Sequence, residues 1–417
     1  MGIYFTVIVL IGISAAFSYI NHRFIKMPFV IGLFFLSTIL SLLIISSKLW
    51  NSHYYTDVKE IVEHTDVSGY IINIMLGFLL FSGAFHTNWS DIKKQLKPVS
   101  LFAVGGVLIS TIIIALLLLG LCTLLHFQIP VIYCLIFGAL ISPTDPIAVL
   151  GILKKAKVSK KVESTIIGES LFNDGVGVVV FIAFLKTLHS GGNEIDYGYF
   201  GLLFLQEAFG GALFGFVLGF ILHRLLKSID NYETEVLFTL AFVMVGYFLS
   251  IQLHISGPLA MVIMGLFVGN YRREVAMSDY TQEYVHKFWN LLDVILNAIL
   301  FIVIAFVLVT IDFQSHYIII GLIAVPIVLL SRALVVNLSR FLFPRFTDIS
   351  KTEAKLIVWG GLRGGLSIAL VLSLPGSEAK ELLTIATYFC VVFSILVQGL
   401  TIEKLAKSLT IESRENR

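Results

Sequence analysis

The sequence predicts an all-α polytopic membrane protein of about thirteen transmembrane helices. Three observations carry this prediction. The chain is 57% hydrophobic and only 13% charged, whereas soluble domains carry about 25% charged residues. Apolar runs long enough to cross a bilayer, ~18 residues or more, recur from end to end. Lys and Arg also fall almost wholly on alternate loops. Little chain is left for a soluble domain, no basic motif for nucleic acid is visible, and membrane lipid is the expected surrounding.

Turn signals and charge clusters place the spans at roughly 3–21, 28–47, 68–87, 99–125, 130–153, 164–187, 198–223, 235–252, 255–270, 288–310, 317–339, 354–373 and 382–403. The first span lacks a basic leader and a cleavage site, so it reads as a retained helix. Cys122, Cys134 and Cys390 lie inside apolar segments and read as buried thiols rather than a disulfide framework. With thirteen spans, 23 of the 29 Lys and Arg residues share one side, from Arg23 and Lys26 to Arg414 and Arg417. The other side carries Lys48, Lys59, Lys186 and Lys380, while Arg332 and Arg363 lie within spans. Positive charge collects on cytoplasmic loops, which predicts an N-terminus outside and a C-terminus in the cytoplasm.

Spans 1–6 and 8–13, joined by span 7, would run in opposite directions as inverted repeats. Span 5 is interrupted at Ser142-Pro143-Thr144-Asp145-Pro146, and span 12 at Gly360-Gly361-Leu362-Arg363-Gly364-Gly365. These are corresponding positions in the two halves. Interrupted backbone at membrane depth is tolerated only where it is buried in protein or lines a cavity.

Span 6 contains GESLFNDGVG, residues 168 to 177, near mid-depth. Glu169 and Asn173 are spaced i, i+4, as are Ser170 and Asp174, so all four share a limited arc of one helix face. A carboxylate in hydrocarbon costs at least ~2.5–3.5 kcal/mol, which marks Asp174 as a candidate ion or proton site. Carboxylate, hydroxyl and amide oxygens suit a hard monovalent cation. Thr144 and Asp145 sit at the break of span 5, where Asp145 could ligate an ion, cap a half-helix or act from behind the ligands. Arg363 in the broken span 12 needs an acidic partner, and Glu169 and Asp145 are the candidates. Ser82 on span 3 is a further residue able to approach the site. Asp293 and Asn297 on span 10 and Arg332 on span 11 read as packing or stabilising groups.

Taken together and in this order, SPTDPIAVL, GESLFNDGVGVVVF, SGPLAMVIMGL and GGLRGGLSIAL resemble the NhaP/NHE-type sodium/proton antiporters of the monovalent cation/proton antiporter-1 family. The resemblance implies an NhaA-like fold with spans 5 and 12 unwound and crossing, and a homodimer. It implies a dimerisation domain from residues 1–95 and 233–313, a transport core from 96–190 and 314–405, a linking helix at 191–232, and a short tail at 406–417 with no room for a regulatory domain. It makes Asp174 the ion- and proton-binding carboxylate, with Asn173, Ser170, Thr144 and Asp145 as site residues, and Asp174, Ser170 and Thr144 as Na+ ligands. Glu169 and Arg363 become a structural ion pair. Ser82 stands where some prokaryotic relatives carry an acidic ligand, so that ligand is expected to be absent or replaced by water. The implied activity is exchange of Na+, and of Li+ as well, for H+ by alternating access, electroneutral and one for one. Such a protein is not an enzyme, needs no cofactor, and lies in a prokaryotic plasma (inner) membrane. A K+/H+ exchanger of the same fold is the alternative. A cation channel is a remoter reading, and so is an intramembrane protease, for which GxGD and HExxH motifs are absent.

Overall fold

The computed structural model describes residues 3–49, 52–63, 69, 71–145, 158–189, 197–270, 278–311 and 314–415. All regular structure among them is helical. The order is α1 (Ile3–Ile20), α2 (Phe29–Ser46), α3 (Ser52–Glu63), α4 (Leu76–Phe85), α5 (Trp89–Lys94), α6 (Leu96–Leu124), α7 (Val131–Ile141) and α8 (Lys160–His189). It continues through α9 (Tyr197–Leu226), α10 (Tyr232–Gln252), α11 (Gly257–Asn270), α12 (Asp279–Thr310) and α13 (Ser315–Leu342). The short α14 (Pro344–Thr347), the broken pair α15 (Lys351–Gly360) and α16 (Gly365–Leu372), and α17 (Glu378–Leu409) complete it.

Helix is forced on these segments because hydrocarbon offers backbone N–H and C=O groups no other partner. Among the described residues nine helices are long and apolar enough to cross a membrane, and α15 with α16, bent by 46°, makes a tenth. Three shorter apolar helices, α4, α7 and α11, fall where the third, fifth and ninth spans are expected. Thirteen crossings require these three to cross as well. Pro146 and the expected second half of span 5 lie outside the described residues.

Two apolar cores organise the packing. The larger joins α2, α6, α7, α8, the C-terminal half of α12, α13 and the helices from α15 to α17. The smaller joins α4, α9, α10, α11 and the N-terminal half of α12 around the fully buried Trp289, whose Nε1 donates to Thr239 Oγ1 at 3.0 Å. Lipid tails are as apolar as leucine, so the fit between helices and the few interhelical hydrogen bonds hold such a bundle together. Cys122, Cys134 and Cys390 are buried and free.

The break of span 12 lies where Gly360 ends α15 and Gly365 starts α16. The 142–145 stretch that follows α7 lies against it: Asp145 N–H donates to Leu362 O at 2.8 Å. Small residues permit this approach. A Cβ on Gly364 would strike the Asp145 carboxylate, and one on Gly177 of α8 would strike the Pro143 ring. Gly177→Val should therefore lower stability by about 1–3 kcal/mol, as overpacked cores do. Gly201→Ala, where a Cβ meets nothing within 4 Å, should not. Thermal unfolding of the two variants in detergent checks this contrast.

Candidate functional site

Asp174 lies midway along the 30 residues of α8, about 21 Å from its start at ~1.5 Å per residue. Its side chain is half-buried and lines a cavity of about 500 Å³ between α8, α4, α12 and the two breaks. Ser170, one turn earlier, lines the same wall, as do Asp145 and Ser82. The cavity reaches Asp174 from the end that carries His86, Asn88, Asp91, Lys160 and Glu163. Its lining holds five carboxylates, Asp91, Asp145, Glu163, Asp174 and Asp293, against one lysine, Lys160. Such a one-signed cleft with low-dielectric walls concentrates cations.

Thr144 is the hub behind the wall. It is buried, and α8 grips it at three atoms. Ser170 Oγ donates to its carbonyl. Asn173 Oδ1 accepts its N–H at 3.3 Å, and Asn173 Nδ2 donates to its hydroxyl at 2.9 Å. Asn173 thus fixes the 142–145 stretch to α8. Ser82 contributes less polarity than its position suggests, because its hydroxyl donates to Trp289 O at 3.2 Å.

The expected pairing of Glu169 with Arg363 is corrected. Both oxygens of the buried Glu169 carboxylate are held by the Arg332 guanidinium on α13, through Nη1–Oε1 and through Nη2–Oε2 at 2.8 Å. Arg332 Nη2 also donates to Ile357 O on α15 at 3.3 Å. Arg363 instead donates from Nη1 to the carbonyls of Ser142 and Pro143, the latter at 2.9 Å. The physical reason is the end of α7. An interrupted helix leaves carbonyls without partners and carries a partial negative charge, which draws a cation. The break therefore satisfies Arg363 and leaves Glu169 to Arg332. The Arg363 N–H is taken by Ser394 Oγ at 3.0 Å, which binds Gln398 in turn.

Lys161 donates to the exposed Asp348 carboxylate at 2.8 Å and ties the start of α8 to the end of α14. That hydrogen bond and the lysine charge hold the Asp348 carboxyl below its ordinary range.

The structure adds Asp293 and Asn290 on α12 to the cavity lining. The sequence carried a signal for them. His286, Asn290, Asp293 and Asn297 recur at alternating steps of four and three on a helix that is otherwise apolar beyond residue 290.

The broken span 12 with the end of α7 lying against it, a carboxylate midway along α8 and an acidic cavity leading to it define a membrane transporter for a small cation. Residues 12–408 match the family described as sodium/hydrogen exchanger, transmembrane, and the chain belongs to that family. It is 42% identical over 404 residues to the Na(+)/H(+) antiporter NhaP of Pseudomonas aeruginosa, covering 96% of this chain and 95% of that one. It is 35% identical over 360 residues to the Na(+)/H(+) antiporter NhaH of Halobacillus dabanensis, covering 85% and 86%. Its fold superposes on the sodium proton antiporter MjNhaP1 of Methanocaldococcus jannaschii with a TM-score of 0.75, at 22% identity and over 96% of this chain and 97% of that one.

Removing one partner of a buried ion pair costs ~3–5 kcal/mol, and contacting pairs couple by ~0.5–3 kcal/mol in double-mutant cycles. In detergent unfolding, a Glu169→Gln, Arg332→Gln cycle should show strong coupling. The corresponding cycle with Arg363→Gln should show less, and the reverse order would restore Arg363 as the partner of Glu169.

Proposed function

We propose that this chain exchanges Na+ for H+ across a membrane by alternating access, with Asp174 as the carboxylate that both ions share. The observation that carries this reading is the place of Asp174: mid-depth, at the inner end of an acidic cavity, beside two interrupted helices. The names of the most similar relatives support the choice of ions.

Competition is the mechanism. A cation in the cavity displaces the Asp174 proton, and a proton displaces the cation. Ser170 and Thr144 complete the ion shell once the Ser170–Thr144 bond gives way to ion contacts. Asn173 and Asp145 hold the break of span 5 in place around it. α8, α7, α13, α15 and α16 are joined by the Thr144 hub, the Arg363 bonds and the Glu169–Arg332 pair, so they move as one unit. The cavity lies between α8 on one side and α4 with the 290–300 stretch of α12 on the other, and motion of the unit against them closes one face and opens the other.

Charge counting supports electroneutral one-for-one exchange. Glu169 cancels Arg332, Asp145 offsets Arg363, and Asp174 is neutralised by one cation or one proton. The moving unit is then equally charged in both loaded states. The Lys/Arg asymmetry supports a cavity mouth on the cytoplasmic side with the N-terminus outside, and the bacterial relatives support a prokaryotic inner membrane. α1 supports a homodimer: only 6% of its membrane window is buried within the chain, and α10 exposes Leu237, Met244, Val245 and Phe248.

Asp174→Asn should abolish Na+-driven proton flux in proteoliposomes while the protein stays folded by gel filtration. Undiminished flux in that variant would sink the proposal. A series of Na+, Li+ and K+ on the same liposomes decides the transported ion, with Na+ and Li+ expected to drive flux and K+ as the alternative. Electroneutrality is tested apart from this. The flux should ignore an imposed membrane potential, and a rate that follows the potential argues for a different stoichiometry.

A further inference from the structure

The wall opposite Asp174 carries a carboxylate that the exchange described above leaves unused. Asp293 on α12 lines the cavity shared with Asp174, Asp145 and Ser170. It is half-buried, and no basic side chain pairs with it among the described residues. One turn further along α12, the buried amide oxygen of Asn297 has no hydrogen-bond partner. One turn back, Asn290 lines the cavity too. A polar stripe thus runs from the mouth to the depth of Asp174 on a helix whose other neighbours are apolar.

A carboxylate half out of water and without a basic partner is costly to keep, and packing does not require one here. An apolar side chain would fill the same wall. What the position supplies is negative charge carried on α12, which packs chiefly on α2, α4 and α10 and touches the α8 unit mainly through α16. Asp174, by contrast, belongs to the α8 unit on the other side of the cavity.

We propose that Asp293 is a positioning residue for the arriving monovalent cation, a stationary carboxylate that holds the ion in the cavity within reach of Asp174. It meets Asp174 only while the cavity is open on this side, and it stays behind when the α8 unit moves. Its effect is therefore confined to one face of the membrane. The inference rests on the antiport reading, because a side-specific affinity has meaning only for a site that faces each side in turn.

The test compares everted with right-side-out membrane vesicles from a host lacking its own antiporters, with Na+ as the probe. Everted vesicles present the Lys/Arg-rich face. There Asp293→Asn should raise the half-saturating Na+ concentration by roughly 3- to 10-fold, at the low end of what a charged cleft contributes. The maximal rate should be kept, and right-side-out vesicles should show no shift. Asp293→Glu should restore the wild-type value. Added choline chloride should shrink the difference by screening. Asp293→Ser serves if the Asn variant is not recovered folded. An equal shift on both faces overturns the proposal, and so does an unchanged half-saturation or a loss confined to maximal rate. Absence of Na+-driven flux in the wild type would instead overturn the antiport reading, before any variant is compared.

Discussion

The end of α7 and the break between α15 and α16 have to satisfy each other's backbone in the middle of a membrane, and the rest of the structure follows from how they do it. The end of α7 leaves carbonyls that no water can reach, and the gap between α15 and α16 leaves N–H groups in the same position. The solution is mutual. Leu362 O accepts the N–H of Asp145, and the Arg363 guanidinium covers Ser142 O and Pro143 O. Ser394 Oγ accepts the remaining N–H of Arg363. α8 then docks on this crossing by holding Thr144 through Ser170 and Asn173. The residue that follows Asn173 is Asp174, so the helix that braces the crossing also presents the carboxylate to the cavity.

The crossing also divides the charged groups into locked and available ones. Glu169 is spent on both terminal nitrogens of Arg332, and Arg363 on helix-end carbonyls, so each of these buried charges has its partners. Among the described residues Asp174 has no basic partner in an ion pair, and it faces the cavity. With the two buried arginines committed elsewhere, a mobile ion is what remains to neutralise it. Under the proposed exchange, this is why one site serves both Na+ and H+: each neutralises the same group, while Asn173 keeps its hold on Thr144 in either state.

Much of the site was legible in the sequence because its signals are local. Ser142-Pro143 and the paired glycines at 360–361 and 364–365 mark breaks that the helix ends at Ile141 and Gly360 reproduce. The spacing from Glu169 to Asp174 placed Ser170 and Asp174 on one wall, and the structure sets both there. The choice of arginine was not legible. Both Arg332 and Arg363 are single guanidiniums in apolar segments, and selecting between them depends on helix rotation and on the carbonyls freed at the end of α7. A helix that is apolar on every side gives no periodicity from which to read its rotation. Asp293 is a different case: His286, Asn290, Asp293 and Asn297 mark one face of α12, but nothing local tells a polar face turned to a cavity from one turned to a neighbouring helix.

The most direct test of a single shared site is equilibrium binding of radiolabelled Na+ to the purified protein across a pH series. If one carboxylate takes either ion, acidification below its titration should weaken Na+ binding by about tenfold per pH unit, with the number of sites unchanged. A binding capacity that falls while the half-saturating concentration stays constant would contradict it, because protons would then act at a second place rather than compete for Asp174.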